Sequence, residues 1–83
     1  LALELAPDRI LVNAIAPGYF KTEINDEYLE SEQGAAMIKR IAMRRLGHID
    51  ELTGPLLLLA SDAGSFMTGS TIVVDGGHLQ MAL

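Results

Sequence analysis

The residues best placed to do chemistry lie in one short segment, Pro17-Gly18-Tyr19-Phe20-Lys21-Thr22, which closes an apolar run opening at Ile10. A glycine lets main chain come close to a flat ligand, and the Thr22 hydroxyl beyond it can both donate and accept hydrogen bonds. Such groups hold and orient a ligand rather than attack it. The reactive constellations are not in this sequence. Gly64 and Gly69 have neither the tight spacing of a dinucleotide turn nor the Lys-Ser/Thr of a phosphate loop. Neither Tyr19 nor Tyr28 is followed four residues on by Lys; Glu23 and Glu32 stand there. His48 and His78 are far apart, stand in no nucleophile elbow, and read as loop or surface histidines. We therefore assign no catalytic residue and no metal site, and the absence of cysteine also removes thiolate ligands and disulfides.

Composition narrows the classes further. Eighty-three residues, 49% of them apolar, allow one small domain with a core. A formal charge of −5 argues against nucleic acid, whose binding depends on basic side chains neutralising phosphates. The run from Pro55 to Ala60 is too short to span a bilayer, and no charged-then-apolar leader is present, so a cytoplasmic location is expected.

Elements must position the Pro-Gly segment. Residues 1–8 look like the end of a helix stopped at Pro7. The run from Ile10 to Ala16 reads as a strand buried on both faces, ended by Pro17-Gly18. Asn13 inside it needs hydrogen-bond partners, either to fix the turn that follows or from neighbouring backbone. Residues 23–47 carry acids early and bases late. They suggest a short helix, a break near Ser31, and a second helix with one apolar face from about Glu32 to Arg44. Such an insertion at the ligand edge of a sheet reads as a lid. Asp50 and Glu51 open a Leu-rich core helix in which Pro55 demands either a late start or a bend. Thr71 to Asp75 is a second, β-branched strand, closed by Gly76-Gly77, which tolerate positive φ. Strand, helical lid, helix, strand is an α/β order, and two strands joined through a packed helix are expected to be parallel.

Four segments in this order also resemble one family. Asn13-Ala-Ile-Ala-Pro17-Gly18-Tyr-Phe-Lys-Thr22 is similar to the segment after the sixth strand of the short-chain dehydrogenase/reductases. Arg45-Leu46-Gly47, Leu57-Leu-Leu-Ala60-Ser61-Asp62 and Thr68-Gly69-Ser-Thr-Ile-Val-Val-Asp75-Gly76-Gly77 resemble later parts of the same pattern. Within the family the chain looks most like sugar-acid dehydrogenases and 3-oxoacyl reductases.

The resemblance implies that residues 1–83 are the C-terminal part of a single Rossmann-like, doubly wound parallel sheet, with a lid at about 23–47. It implies NAD or NADP as cofactor, with the main chain of Pro17, Gly18 and Phe20 lining the nicotinamide and Thr22 offering its hydroxyl to the carboxamide or pyrophosphate. Phe20 takes a place commonly held by Ile or Val. The implied reaction interconverts a small-molecule alcohol and ketone by hydride transfer, in a homo-oligomer (dimer or tetramer) joined through the Leu-rich helix and the last strand. In the family the reacting Tyr, Lys and Ser lie upstream, outside these residues. The competing reading from another class is a small non-catalytic interaction module that pairs with a partner.

Overall fold

A computed structural model describes residues 1–22 and 26–81. Its centre is a two-stranded parallel sheet of β1 (Ala14–Pro17) and β2 (Thr71–Val74), in register from Ala14 opposite Thr71 to Pro17 opposite Val74. Because the strands are parallel, Pro17-Gly18 and Asp75-Gly76-Gly77 leave the sheet at the same carboxyl edge.

The amino-terminal helix α1 (Ala2–Leu5) passes into a 3-10 turn, Ala6–Asp8, containing Pro7, and stops at Arg9 with φ 63°. The strand expected from Ile10 is shorter. From Ile10 to Asn13 the chain forms no ladder: Ile10 N–H donates back to Leu5 C=O at 3.3 Å, and Val12 and Asn13 bond to the loop before β2. Val12 N–H donates to Thr68 Oγ1 at 3.1 Å, and Gly69 N–H donates to Val12 C=O at 2.8 Å. Burial on both faces is also not observed: Ala14 and Pro17 are exposed, and Ile15 and Ala16 half-buried. With β2 alone beside it, β1 has one covered edge, and its faces are only partly covered.

Asn13 resolves its polar atoms across the molecule. Its Nδ2 donates to Met67 C=O and its Oδ1 accepts from Ser70 N–H, both at 3.0 Å. The side chain is thus satisfied by backbone distant in sequence. It fixes the entry to β2 rather than the turn after Pro17.

The break near Ser31 is present. Helix α2 (Asp26–Glu30) ends there, and α3 (Glu32–Lys39) begins with the Ser31 hydroxyl accepting from Gly34 N–H at 3.1 Å, an N-cap that needs no acidic partner. Glu23 and Asn25, expected at the front of this region, lie outside the described residues. Helix α3 stops sooner than Arg44. The chain leaves the helix after Arg40 so that Ile41, the one fully buried hydrophobic side chain among the described residues, meets the turn after β2. Met43 N–H donates to Gly76 C=O at 3.0 Å, and Arg44 turns the chain at φ 56°. Tertiary bonds win over helix continuation here.

Pro55 is accommodated by the late start. A 3-10 turn, Ile49–Leu52, precedes α4 (Thr53–Ala60), which places Pro55 in the first helical turn, where no backbone donor is lost. Within these 83 residues the helix is only partly covered: Leu56 is 57% and Leu57 59% exposed, with Leu58 and Leu59 half-buried. Its main contacts are the turns flanking it, Ile49–Leu52 and Asp62–Gly64, rather than the sheet. A final helix, α5 (His78–Met81), follows Gly76 and Gly77, whose φ angles of 62° and 84° match the expected glycine turn.

Candidate functional site

Pro17 and Gly18 lie at the carboxyl edge of the sheet, with Phe20 and Thr22 on the chain just beyond it. Gly18 N–H donates to Val74 C=O at 2.9 Å, continuing the ladder one step past β1. A Cβ on Gly18 would lie 2.7 Å from Asp75 Cβ and 2.8 Å from Asp75 Cα, so only glycine lets the two strand ends close together. The sequence offered that glycine to a ligand's ring. In the structure its immediate neighbour is Asp75.

Asp75 in turn organises the opposite lip. Its carboxylate accepts from Gly77 N–H and Leu79 N–H, both at 2.9 Å. These bonds, that from Leu79 foremost, hold its carboxyl below the usual carboxylate range. Read from sequence, Asp75 closes the second strand and has no chemical role. His78, one turn on, is half-buried and not a plain surface histidine: it meets Tyr19 edge-on with ring centroids 5.5 Å apart.

After Gly18 the chain runs along Gly47. Gly47 N–H donates to Tyr19 C=O and Gly47 C=O accepts from Lys21 N–H, each at 3.0 Å. The two bonds straddle Phe20 in a parallel bridge, so the N–H and C=O of Phe20 itself are directed away from Gly47. Its ring lies over Gly47: a Cβ there would be 2.5 Å from Phe20 Cε2. The place commonly held by Ile or Val therefore accepts a larger side chain because its partner has none. Thr22 follows on exposed chain two residues beyond the bridge.

Two cavities flank Tyr19. One, of about 430 Å³, is lined by Pro17 and Gly18 together with Ala16, His78 and Leu79. The other, of about 440 Å³, is lined by Phe20 with Met43, Arg45, Glu51 and Gly76. Pro17 and Gly18 thus share one cavity, Phe20 lines the next, and Thr22 lines neither. Both volumes are in the range that takes a small ligand or part of a cofactor.

Two charged side chains of the second cavity are paired. Arg45 and Glu51 make a bidentate pair, Nη1 to Oε1 at 2.7 Å and Nη2 to Oε2 at 2.9 Å. Oε1 also accepts from His48 N–H at 2.9 Å. The Arg45 guanidinium first, and the His48 N–H second, bring the Glu51 carboxyl down to about 2. Nothing in the sequence signalled this pair, since its members sit on turns and not on one helix face. Among the described residues no group of three His, Cys, Asp or Glu is placed to hold a metal ion.

An α/β edge with a Pro-Gly turn, a glycine-backed extended segment and a closing Asp-Gly-Gly turn defines a class. A family model described as enoyl-(acyl carrier protein) reductase matches residues 1–78. The chain is 43% identical over 77 residues to L-rhamnose 1-dehydrogenase (NAD(P)(+)) of Azotobacter vinelandii, covering 92% of this chain and 30% of that one. It is 45% identical over 80 residues to 2-dehydro-3-deoxy-D-gluconate 5-dehydrogenase of Pseudoalteromonas atlantica, covering 95% and 32%. Among solved structures, the Pseudomonas aeruginosa RhlG/NADP active-site complex superposes with a TM-score of 0.81 at 38% identity, over 94% of this chain and 32% of that one. The chain belongs to the short-chain dehydrogenase/reductase family, and its α/β arrangement is part of that family's Rossmann-like fold. It spans about a third of the length of the curated relatives it matches.

Proposed function

We propose that residues 1–83 form the C-terminal segment of an NAD(P)-dependent short-chain dehydrogenase/reductase that interconverts an alcohol and a ketone. The observation that carries this is the Phe20–Gly47 bridge just beyond the shared carboxyl edge. It presents an extended strip of main chain, from Gly18 through Phe20, whose outward groups suit a flat carboxamide-bearing ring. When bound, such a cofactor supplies or accepts the hydride. In this reading Pro17, Gly18 and Phe20 form one wall against the nicotinamide and exclude water from that side. Thr22 adds a hydroxyl to the carboxamide or pyrophosphate, and residues 23–47 act as a lid over substrate. The wall orients a ring face. The proton of the carbonyl oxygen is handled by Tyr, Lys and Ser residues outside this segment, because no Tyr here is followed by the needed Lys.

The names of the relatives, a rhamnose and a dehydro-deoxy-gluconate dehydrogenase, favour a polyhydroxylated substrate of the sugar or sugar-acid class. The NAD(P)(+) in one name and the NADP in the solved complex support the cofactor class. The exposed Leu56, Leu57 and Val73 suit a homo-oligomer joined through α4 and β2. No helix among the described residues is long and apolar enough to cross a membrane, which is compatible with a cytoplasmic enzyme. The family match does not favour a stand-alone interaction module.

Thr22→Val in the complete protein tests the wall. It keeps the side-chain shape and removes one hydrogen-bonding group, so Kd for NADH or NADPH, read by fluorescence titration, should rise about two- to tenfold. Unchanged affinity for both cofactors would remove Thr22 from the site.

A further inference from the structure

We propose that Arg45 and Glu51 are positioning residues for the cofactor wall, acting on Phe20 through Gly47. The inference rests on the reading above, in which Phe20 faces the cofactor, and extends it to the ion pair that holds Gly47 behind it.

The connection is continuous. Arg45 and Glu51 bracket Gly47 in the chain, and their side chains close that stretch into a ring through two parallel hydrogen bonds of 2.7 and 2.9 Å. The ring is pinned at two further points: Arg45 Nη1 donates to Leu46 C=O at 3.1 Å, and Glu51 Oε1 accepts from His48 N–H at 2.9 Å. Leu46 and His48 are the residues on either side of Gly47. Both peptide links of Gly47 are therefore oriented by the pair. Those links make the two bonds that straddle Phe20, and its ring rests on the Gly47 Cα. A rotation of Gly47 must either carry Phe20 with it or break the bridge, because two directional bonds cannot both hold to a turned peptide.

The ion pair alone is not worth much as a surface contact, its side chains being 43% and 40% exposed. Its fork geometry is what matters. A planar guanidinium against a carboxylate fixes direction as well as distance, which a lysine ammonium does not. A wall displaced by a fraction of an ångström disturbs the orientation of whatever lies against it.

The experiment uses the complete protein carrying Glu51→Gln, Arg45→Met, both together, Arg45→Lys, and Thr22→Val as a reference. Two readouts are taken: amide hydrogen exchange at Lys21 without cofactor, and Kd for NADH and NADPH with KM and kcat. Glu51→Gln and Arg45→Met should each speed exchange at Lys21 and raise Kd on the order of tenfold, with the double variant no worse than either single one. Arg45→Lys, which keeps the charge and serves if the methionine variant does not fold, should fall between. A lowered melting temperature with unchanged Lys21 exchange and Kd would overturn the proposal and make the pair a plain structural contact. Weakened binding in Thr22→Val alone would sink this inference and leave the wall standing. No effect in any variant would remove the wall itself.

Discussion

Gly18 is the position where a small perturbation separates two roles. In Gly18→Ala the new Cβ would meet Asp75 Cβ at 2.7 Å and Cα at 2.8 Å. Contacting carbons rest about 3.5–4.0 Å apart, so the ends of β1 and β2 must part by roughly 1 Å. Asp75 cannot turn aside, because Cα and Cβ move only with the backbone, and its carboxylate is tied to Gly77 and Leu79. Parting the strand ends also stretches the 2.9 Å bond from Gly18 N–H to Val74 C=O. Overpacking costs about 1–3 kcal/mol and a weakened hydrogen bond on the order of 1 kcal/mol. A total of about 2 kcal/mol lowers the Tm of a 150–250-residue domain by roughly 4–8 °C. Thermal melts of the complete protein without cofactor, wild type beside Gly18→Ala, measure this directly. A Tm within about a degree of wild type, together with lost NADH and NADPH binding, would refute the packing role and return the glycine to the ligand.

Two further outcomes follow from residues already placed. Asn13→Ala leaves Met67 C=O and Ser70 N–H without their partner across the molecule and should cost about 1–3 kcal/mol in urea unfolding, with cofactor affinity in the refolded protein little changed. For Glu51, the folded carboxyl is brought down to about 2 by Arg45 and His48, below its unfolded value. The unfolded state therefore takes up the proton first as pH falls, and the stabilisation, complete above the ordinary carboxylate range, is lost between that range and about 2. The Tm difference between wild type and Glu51→Gln should be constant at neutral pH and shrink through acid; a difference unchanged down to the lowest pH at which the protein folds would contradict it.

The features that could be read from sequence are those set by neighbours in the chain. Pro55, the break at Ser31, the glycine turn after β2 and the Pro17-Gly18 exit each follow from local backbone chemistry, and each is present. The misjudged elements depend on what lies across space. Ile10 to Asn13 has the composition of a strand, but Ile10 bonds back to Leu5, and Val12 and Asn13 are taken by Thr68, Gly69 and Ser70. The leucines of α4 signal a covered helix, yet a run of apolar residues does not say which surface covers each face, and among these residues Leu56 and Leu57 are left exposed. Pro17 and Gly18 could be placed at the carboxyl edge because Pro-Gly marks the end of a strand. Asp75 against Gly18, and Glu51 against Arg45, could not, because close approach between distant segments has no period or motif to announce it.

The Asn13 clamp has a consequence for how such a chain diversifies. Asn13 and Val12 bind Met67, Thr68 and Ser70 directly, so the pairing of β1 with β2 is pinned at its amino end by bonds that do not involve the fifty-odd residues between. Lengthening a flexible connection costs only about 0.6 kcal/mol for each doubling. Insertions and deletions between Asp26 and Ile41 can then change the helices α2 and α3 while the strand alignment stays fixed.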